Sequence, residues 1–128
     1  VKSGVDERVR FMGFVSEEEL ERVLAATDVA LAPYRSMSAS GALATLISAG
    51  RPIVTSDLAQ FRELGAMAPG AFHSFTPYKA EALAPAIESA LAAATDEPDP
   101  NVQALAGAVS TARVVDRYLE LYRVAAAR

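Results

Sequence analysis

Two short apolar runs, residues 28–34 (DVALAPY) and 52–57 (PIVTSD), flank a stretch of small and apolar residues long enough for one helix, and this succession constrains the chain more than any other feature. The first run is apolar almost throughout rather than alternating, the pattern of a strand covered on both faces, and Pro33 stops it. The stretch between the runs closes with Gly50 as a C′ residue and Pro52 just beyond, which sets a helix over about residues 40–49. Strand, helix, strand in this order implies a right-handed crossover and a parallel sheet.

The flanking segments extend the pattern. Residues 8–13 (RVRFMG) alternate charged and apolar side chains, include β-branched and aromatic members and end in glycine, so they read as a further strand. Ser16 followed by Glu19 makes a capping box, and Leu20, Val23 and Leu24 recur at helical spacing, with Glu17, Glu18 and Glu19 suiting the positive end of the helix dipole. Residues 61–65 (FRELG) read as a short helical turn with its own glycine stop, and residues 70–75 as an extended edge segment. A helix follows from about residue 79, with Leu83, Ile87 and Leu91 on one stripe and Pro85 tolerable in or near its first turn. Residues 96–100 (DEPDP) read as a turn or linker, and residues 110–128 as a final amphipathic helix that buries Val114, Val115, Tyr118, Leu121 and Tyr122. The expected architecture is an α/β domain, an open parallel sheet with flanking helices, closed by a long C-terminal helix.

Composition narrows the function classes. Half the residues are hydrophobic (52%) and 22% are charged, so 128 residues suffice for one core. Sixteen acidic residues against 12 Lys plus Arg give a net charge of -4, which argues against nucleic acid or an anionic membrane as a partner while leaving room for a local anion site. Without cysteine there is no disulfide framework, thiolate nucleophile or cysteine metal site, and the single His73 builds no zinc site alone. No apolar stretch is long enough to span a bilayer and no signal-peptide layout is present, so the expected location is cytoplasmic.

Ligands of open parallel sheets bind beyond the C-terminal ends of the strands, where residues 35–41 lie. The first N–H groups of a helix lack backbone partners and, with the dipole, accept an anion where neighbouring residues are small. Ser38, Ser40, Gly41 and Ala42 supply that smallness, with two hydroxyl donors; the simpler reading makes Ser38 or Ser40 an ordinary N-cap and Ala42, Leu43, Leu46 and Ile47 core. Arg35 stands in the same loop, either solvated or reaching a phosphate. His73, between Phe72 and Phe75, reads as a half-buried sheet residue rather than a general base, and Asp57 as a turn cap. Arg62 and Glu63 read as bonding to neighbouring backbone or solvent, and Tyr118 and Tyr122, four apart, as core rather than a stacking platform.

Taken in order, RVRFMGFVSEEELERVLAATDVALAPYR, SGALATLISAGRPIVTSD, FREL, EALAPAIESALA and RVVDRYLELYR resemble the C-terminal donor-binding domain of a family 4 (group 1) retaining glycosyltransferase of the GT-B fold. The resemblance implies a Rossmann-like domain that holds a nucleotide-sugar donor, a UDP-, GDP- or ADP-sugar, as substrate, with no other cofactor and no metal. A separate N-terminal domain would hold the acceptor, and the final helix would cross back towards it. Such domains carry two glutamates separated by seven residues, backbone N–H groups after the first holding the diphosphate and the second bonding the ribose hydroxyls. With Gly50 matched to the glycine that ends the signature, Met37 and Thr45 occupy those two positions; a shift of one residue across the loop brings Ser38 to the first, and neither restores an acid. The resemblance therefore assigns donor binding to Ser38, Ser40, Gly41, Ala42, Thr45 and Arg35, with Thr45 as a weaker ribose partner and a loss of about 1–3 kcal/mol relative to a charged bidentate acceptor.

The resemblance begins at the third strand of such a domain, so an earlier strand, its glycine-rich turn and basic phosphate-facing residues are expected to lie outside this chain. Three expectations follow: no sugar transfer by the chain alone, self-association through an unpaired sheet edge at residues 8–12, and any peripheral membrane association residing in the acceptor domain. The competing reading is a non-catalytic α/β interaction or scaffold domain derived from the same fold, motivated by Met37 and Thr45. A receiver-like module is a weaker alternative, since the acidic cluster of such a phosphoacceptor site is missing from the strand ends.

Overall fold

A computed structural model of the chain describes residues 4–37 and 41–128. After a 3₁₀ turn at Asp6–Arg8, the elements are α1 (Glu17–Ala25), β1 (Ala30–Ala32), α2 (Gly41–Ala49), β2 (Ile53–Ser56), α3 (Ala59–Met67), β3 (Phe72–Phe75), α4 (Ala80–Ala93), α5 (Pro100–Ala108) and α6 (Thr111–Ala126). The strands form one parallel sheet in the order β1-β2-β3, with Leu31 opposite Val54 and Val54 opposite His73. The α/β class and the open parallel sheet are as the apolar runs imply.

All four residues of the central strand β2 are buried, because helices cover both of its faces. On one face Ile53 joins Ala30, Leu43, Ile47 and Phe61 with Val102 and Leu105 of α5; on the other, Val54 packs with Phe75 and with Ala86 and Ala90 of α4. The local signals hold where they are complete within a few residues. Ser16 and Glu19 form the reciprocal capping box at α1, at 3.2 Å each way, and Gly50 takes a φ of +73° to end α2.

Several expectations are corrected. Residues 9–13 belong to no strand, and Phe11 and Phe14 lie fully in solvent, so the expected strand at residues 8–13 and the sheet edge assigned to it do not exist here; a strand needs a neighbour, and the edge strands of the described sheet are β1 and β3. The run at residues 28–34 reduces to Ala30–Ala32, covered on one face only, with Leu31 46% exposed. Gly65 does not stop the helix after β2, which runs on through Met67. Pro85 lies in the second turn of α4, where its ring removes the hydrogen bond to Glu81. The face of α4 that meets the sheet carries Ala86 and Ala90, with Leu83 and Ile87 half-buried beside them and Leu91 exposed.

The largest differences are at the C-terminus. The expected turn or linker is present over residues 96–99, but it leads into a helix that was not expected, α5: Asp99 caps it, accepting from the N–H of Asn101 and of Val102, and Pro100 takes the first helical position. No residue of α6 is buried; Tyr118, Leu121 and Tyr122 are 58%, 64% and 68% exposed, so the apolar stripe expected to pack inwards faces solvent. Among the described residues no helix is long and apolar enough to cross a membrane.

Candidate functional site

The C-terminal ends of all three strands open into one crevice of about 360 Å³, lined by Tyr34 and Arg35 after β1, by Ser56 at the end of β2 with Asp57 and Leu58 beyond it, and by Phe75 at the end of β3 with Thr76 and Tyr78 beyond it. A parallel sheet makes this convergence unavoidable, since every strand releases its chain on the same side. The loop after β1 is then held at three of its carbonyls by three other elements. Tyr78 donates its hydroxyl to the Pro33 carbonyl at 2.6 Å, the Ser56 hydroxyl donates to the Tyr34 carbonyl, and the Gln60 amide of α3 donates to the Met37 carbonyl at 2.8 Å. The chain that leads into α2 is thus fixed to β2, α3 and the segment after β3.

Charge in the crevice is sharply divided. The Asp57 carboxylate accepts from the Arg62 guanidinium at 2.7 Å, which offsets its charge, although both groups keep contact with solvent and the pair adds little to stability. Arg35 has no carboxylate partner among the described residues; its guanidinium carbon lies 4.9 Å from the centre of the Tyr78 ring. The crevice therefore presents one uncommitted cation, hydroxyl groups and an aromatic floor. That set receives an oxyanion better than a cation, and among the described residues it holds neither a nucleophile beside a base nor a pair of free carboxylates.

Of the residues singled out in the sequence, Arg35 lines this crevice. Gly41 and Ala42 are exposed in the first turn of α2. Thr45 lies one turn further along, and its hydroxyl donates back to the Gly41 carbonyl at 3.2 Å, which leaves its oxygen able only to accept. None of these three lines the crevice. Ser38 and Ser40 lie outside the described residues. His73 faces Ser89 of α4, Nδ1 to Oγ 3.3 Å, and does not enter the crevice. Among the described residues no group of three or more His, Asp or Glu side chains is placed to hold a metal ion.

Sequence reasoning passed over Ser56, Thr76 and Tyr78. Ser56 ends a covered strand and Tyr78 follows a proline just past the next one, so their positions at strand ends were the available signal. The Asp57–Arg62 ion pair gives Asp57 a partner other than the turn backbone and Arg62 one other than backbone or solvent.

The family model of the group 1 glycosyl transferases matches residues 1–93, and every residue lining the crevice falls inside that span. Neither a curated protein nor a solved structure matches the chain.

Proposed function

Because the chain belongs to the group 1 glycosyl transferases, we propose that it is the C-terminal, donor-binding part of a retaining family 4 enzyme of the GT-B fold, and that its strand-end crevice receives the diphosphate of a nucleotide-sugar. The observation that carries this reading is the coincidence of the matched residues with the open ends of the three strands around an uncommitted Arg35. In this reading Arg35 and the backbone N–H groups of Gly41 and Ala42, continued by Ser38 and Ser40, hold the phosphates, and the Thr45 oxygen accepts from a ribose hydroxyl. When the sugar leaves, negative charge grows on the diphosphate, and a fixed cation with a helix N-terminus is suited to stabilise it.

The acceptor and the remaining strands belong to a part of the enzyme beyond this chain, so the chain alone transfers no sugar. The bare stripe of α6 and the open edge of β1 are the surfaces that such a part would cover. Uncovered, they lead to self-association of the isolated chain through the β1 edge; a monomer in sedimentation at high concentration argues against it.

Titration with UDP, GDP and ADP, followed by amide shifts, tests the donor site. The expected result is saturable shifts at Arg35 and residues 41–45 with at least one of them at millimolar concentration. No shift with any nucleotide favours the second reading, a scaffold domain that has lost the donor site, for which Met37 and Thr45 in place of the two glutamates speak.

A further inference from the structure

The geometry points to Tyr78 as a positioning residue that holds the Arg35 guanidinium over the strand-end crevice, ready for an oxyanion; the identity of that anion as a nucleotide diphosphate rests on the donor-site reading above. Arg35 is an exposed side chain on a loop, and alone it would sample many rotamers. Among the described residues its contact of defined geometry is with the Tyr78 ring, 4.9 Å from the ring centre. Asp57, the carboxylate that lines the same crevice, is engaged by Arg62 and does not draw Arg35 away.

The ring is itself fixed at both ends. Its hydroxyl donates to the Pro33 carbonyl at 2.6 Å, and its face leans on Phe75, with centroids 5.6 Å apart and planes 40° apart. Phe75 is buried in the cluster shared with α4, so the platform is anchored in the core. A tyrosine has only two side-chain torsions, and here contacts restrain both. The contact places the guanidinium carbon over the ring, and a guanidinium carries five N–H donors, more than one aromatic neighbour engages, so donors remain for an oxyanion. Tyr78 also fixes the backbone from which Arg35 projects, since Pro33 stands two residues before it. One side chain therefore sets both the loop and the cation it carries.

The test compares the chain with Arg35→Ala, Tyr78→Leu, the double variant and Tyr78→Phe. Without ligand, the Arg35 Nε–Hε resonance is expected to show a ring-current shift that Tyr78→Leu abolishes and that Tyr78→Phe, which keeps the ring but loses the bond to the Pro33 carbonyl, reduces. In titrations with UDP and GDP, Tyr78→Leu is expected to weaken binding about two- to five-fold, the size of an exposed cation–π contact, and to have no further effect once Arg35 is Ala. A ring-current shift that survives Tyr78→Leu overturns the proposal. So does equal weakening by Tyr78→Leu with and without Arg35. If the unsubstituted chain binds no nucleotide, the donor-site reading fails, and the ligand-free resonance still decides whether Tyr78 holds Arg35. Tyr78 is 47% exposed and belongs to neither buried cluster, and the amide spectrum of each variant reports whether the fold persists.

Discussion

Leu105→Ala is expected to lower the stability of the chain by about 2–5 kcal/mol, read as the shift in urea midpoint at an unchanged slope. Leu105 is fully buried and sits in the larger cluster with Ile53, Leu43, Ile47 and Val102. Truncation removes its transfer free energy and leaves a cavity in the cluster that α5 shares with β2, α2 and α3. Domains of this size are stable by only about 5–15 kcal/mol, so the loss is a large share of the total. Leu91→Ala is the control: the same side chain, 51% exposed on α4, is expected to change stability by less than about 1 kcal/mol. Equal effects at the two positions would sink the claim that α5 is part of the core.

Gly50→Ala is the second large effect, about 1–2 kcal/mol from backbone strain with a further cost from crowding. Gly50 ends α2 at a φ of +73°, and a Cβ built there would stand 3.3 Å from the Cβ of Pro98, part of a rigid ring rather than the end of a flexible side chain. The Gly50 carbonyl accepts from the Asp99 N–H at 2.7 Å, so Pro98 has no freedom to retreat without disturbing the cap of α5. The two causes separate experimentally. Gly50→Asn tolerates the left-handed backbone but still brings a Cβ against Pro98, so it should recover part of the loss in thermal melts and not all of it. Full recovery by Asn would mean that the crowding term is absent.

Features whose cause lies within a few residues were legible in the sequence, and features that depend on a distant neighbour were not. The box of Ser16 with Glu19 and the stop at Gly50 are local, and both are where the pattern puts them. The parallel sheet follows from covered runs joined by a helix, and β2 shows that burial on both faces. Residues 8–13 carry a strand's alternation without a partner to pair with, and alternation alone forms no hydrogen bonds. The stripes on α4 and α6 are properties of one helix, whereas the face that is buried depends on what lies opposite. For α4 that is the sheet, met by small Ala86 and Ala90, and for α6 nothing described lies opposite. Asp99 followed by Pro100 was a readable helix start, obscured by Asp96 and Pro98 in the same turn-rich cluster. At the site, Arg35 was legible because its loop follows a strand; the roles of Ser56 and Tyr78 come from bonds across 22 and 45 positions, which spacing along the chain does not encode.

The attachment of α5 also separates two lengths that are easily taken for one. The stretch recognisable as a group 1 glycosyl transferase ends at residue 93, yet the Arg51 guanidinium donates to the Thr95 carbonyl at 3.0 Å, Asp99 is tied to Gly50, and Val102 and Leu105 close the cluster beneath Ile53. A cut at the border of recognition would strip one face of β2 of its lid while leaving every residue of the crevice in the chain. A shortened chain that is to keep this crevice must therefore carry the residues through at least Val109, which have no part in the crevice and hold the sheet that forms it.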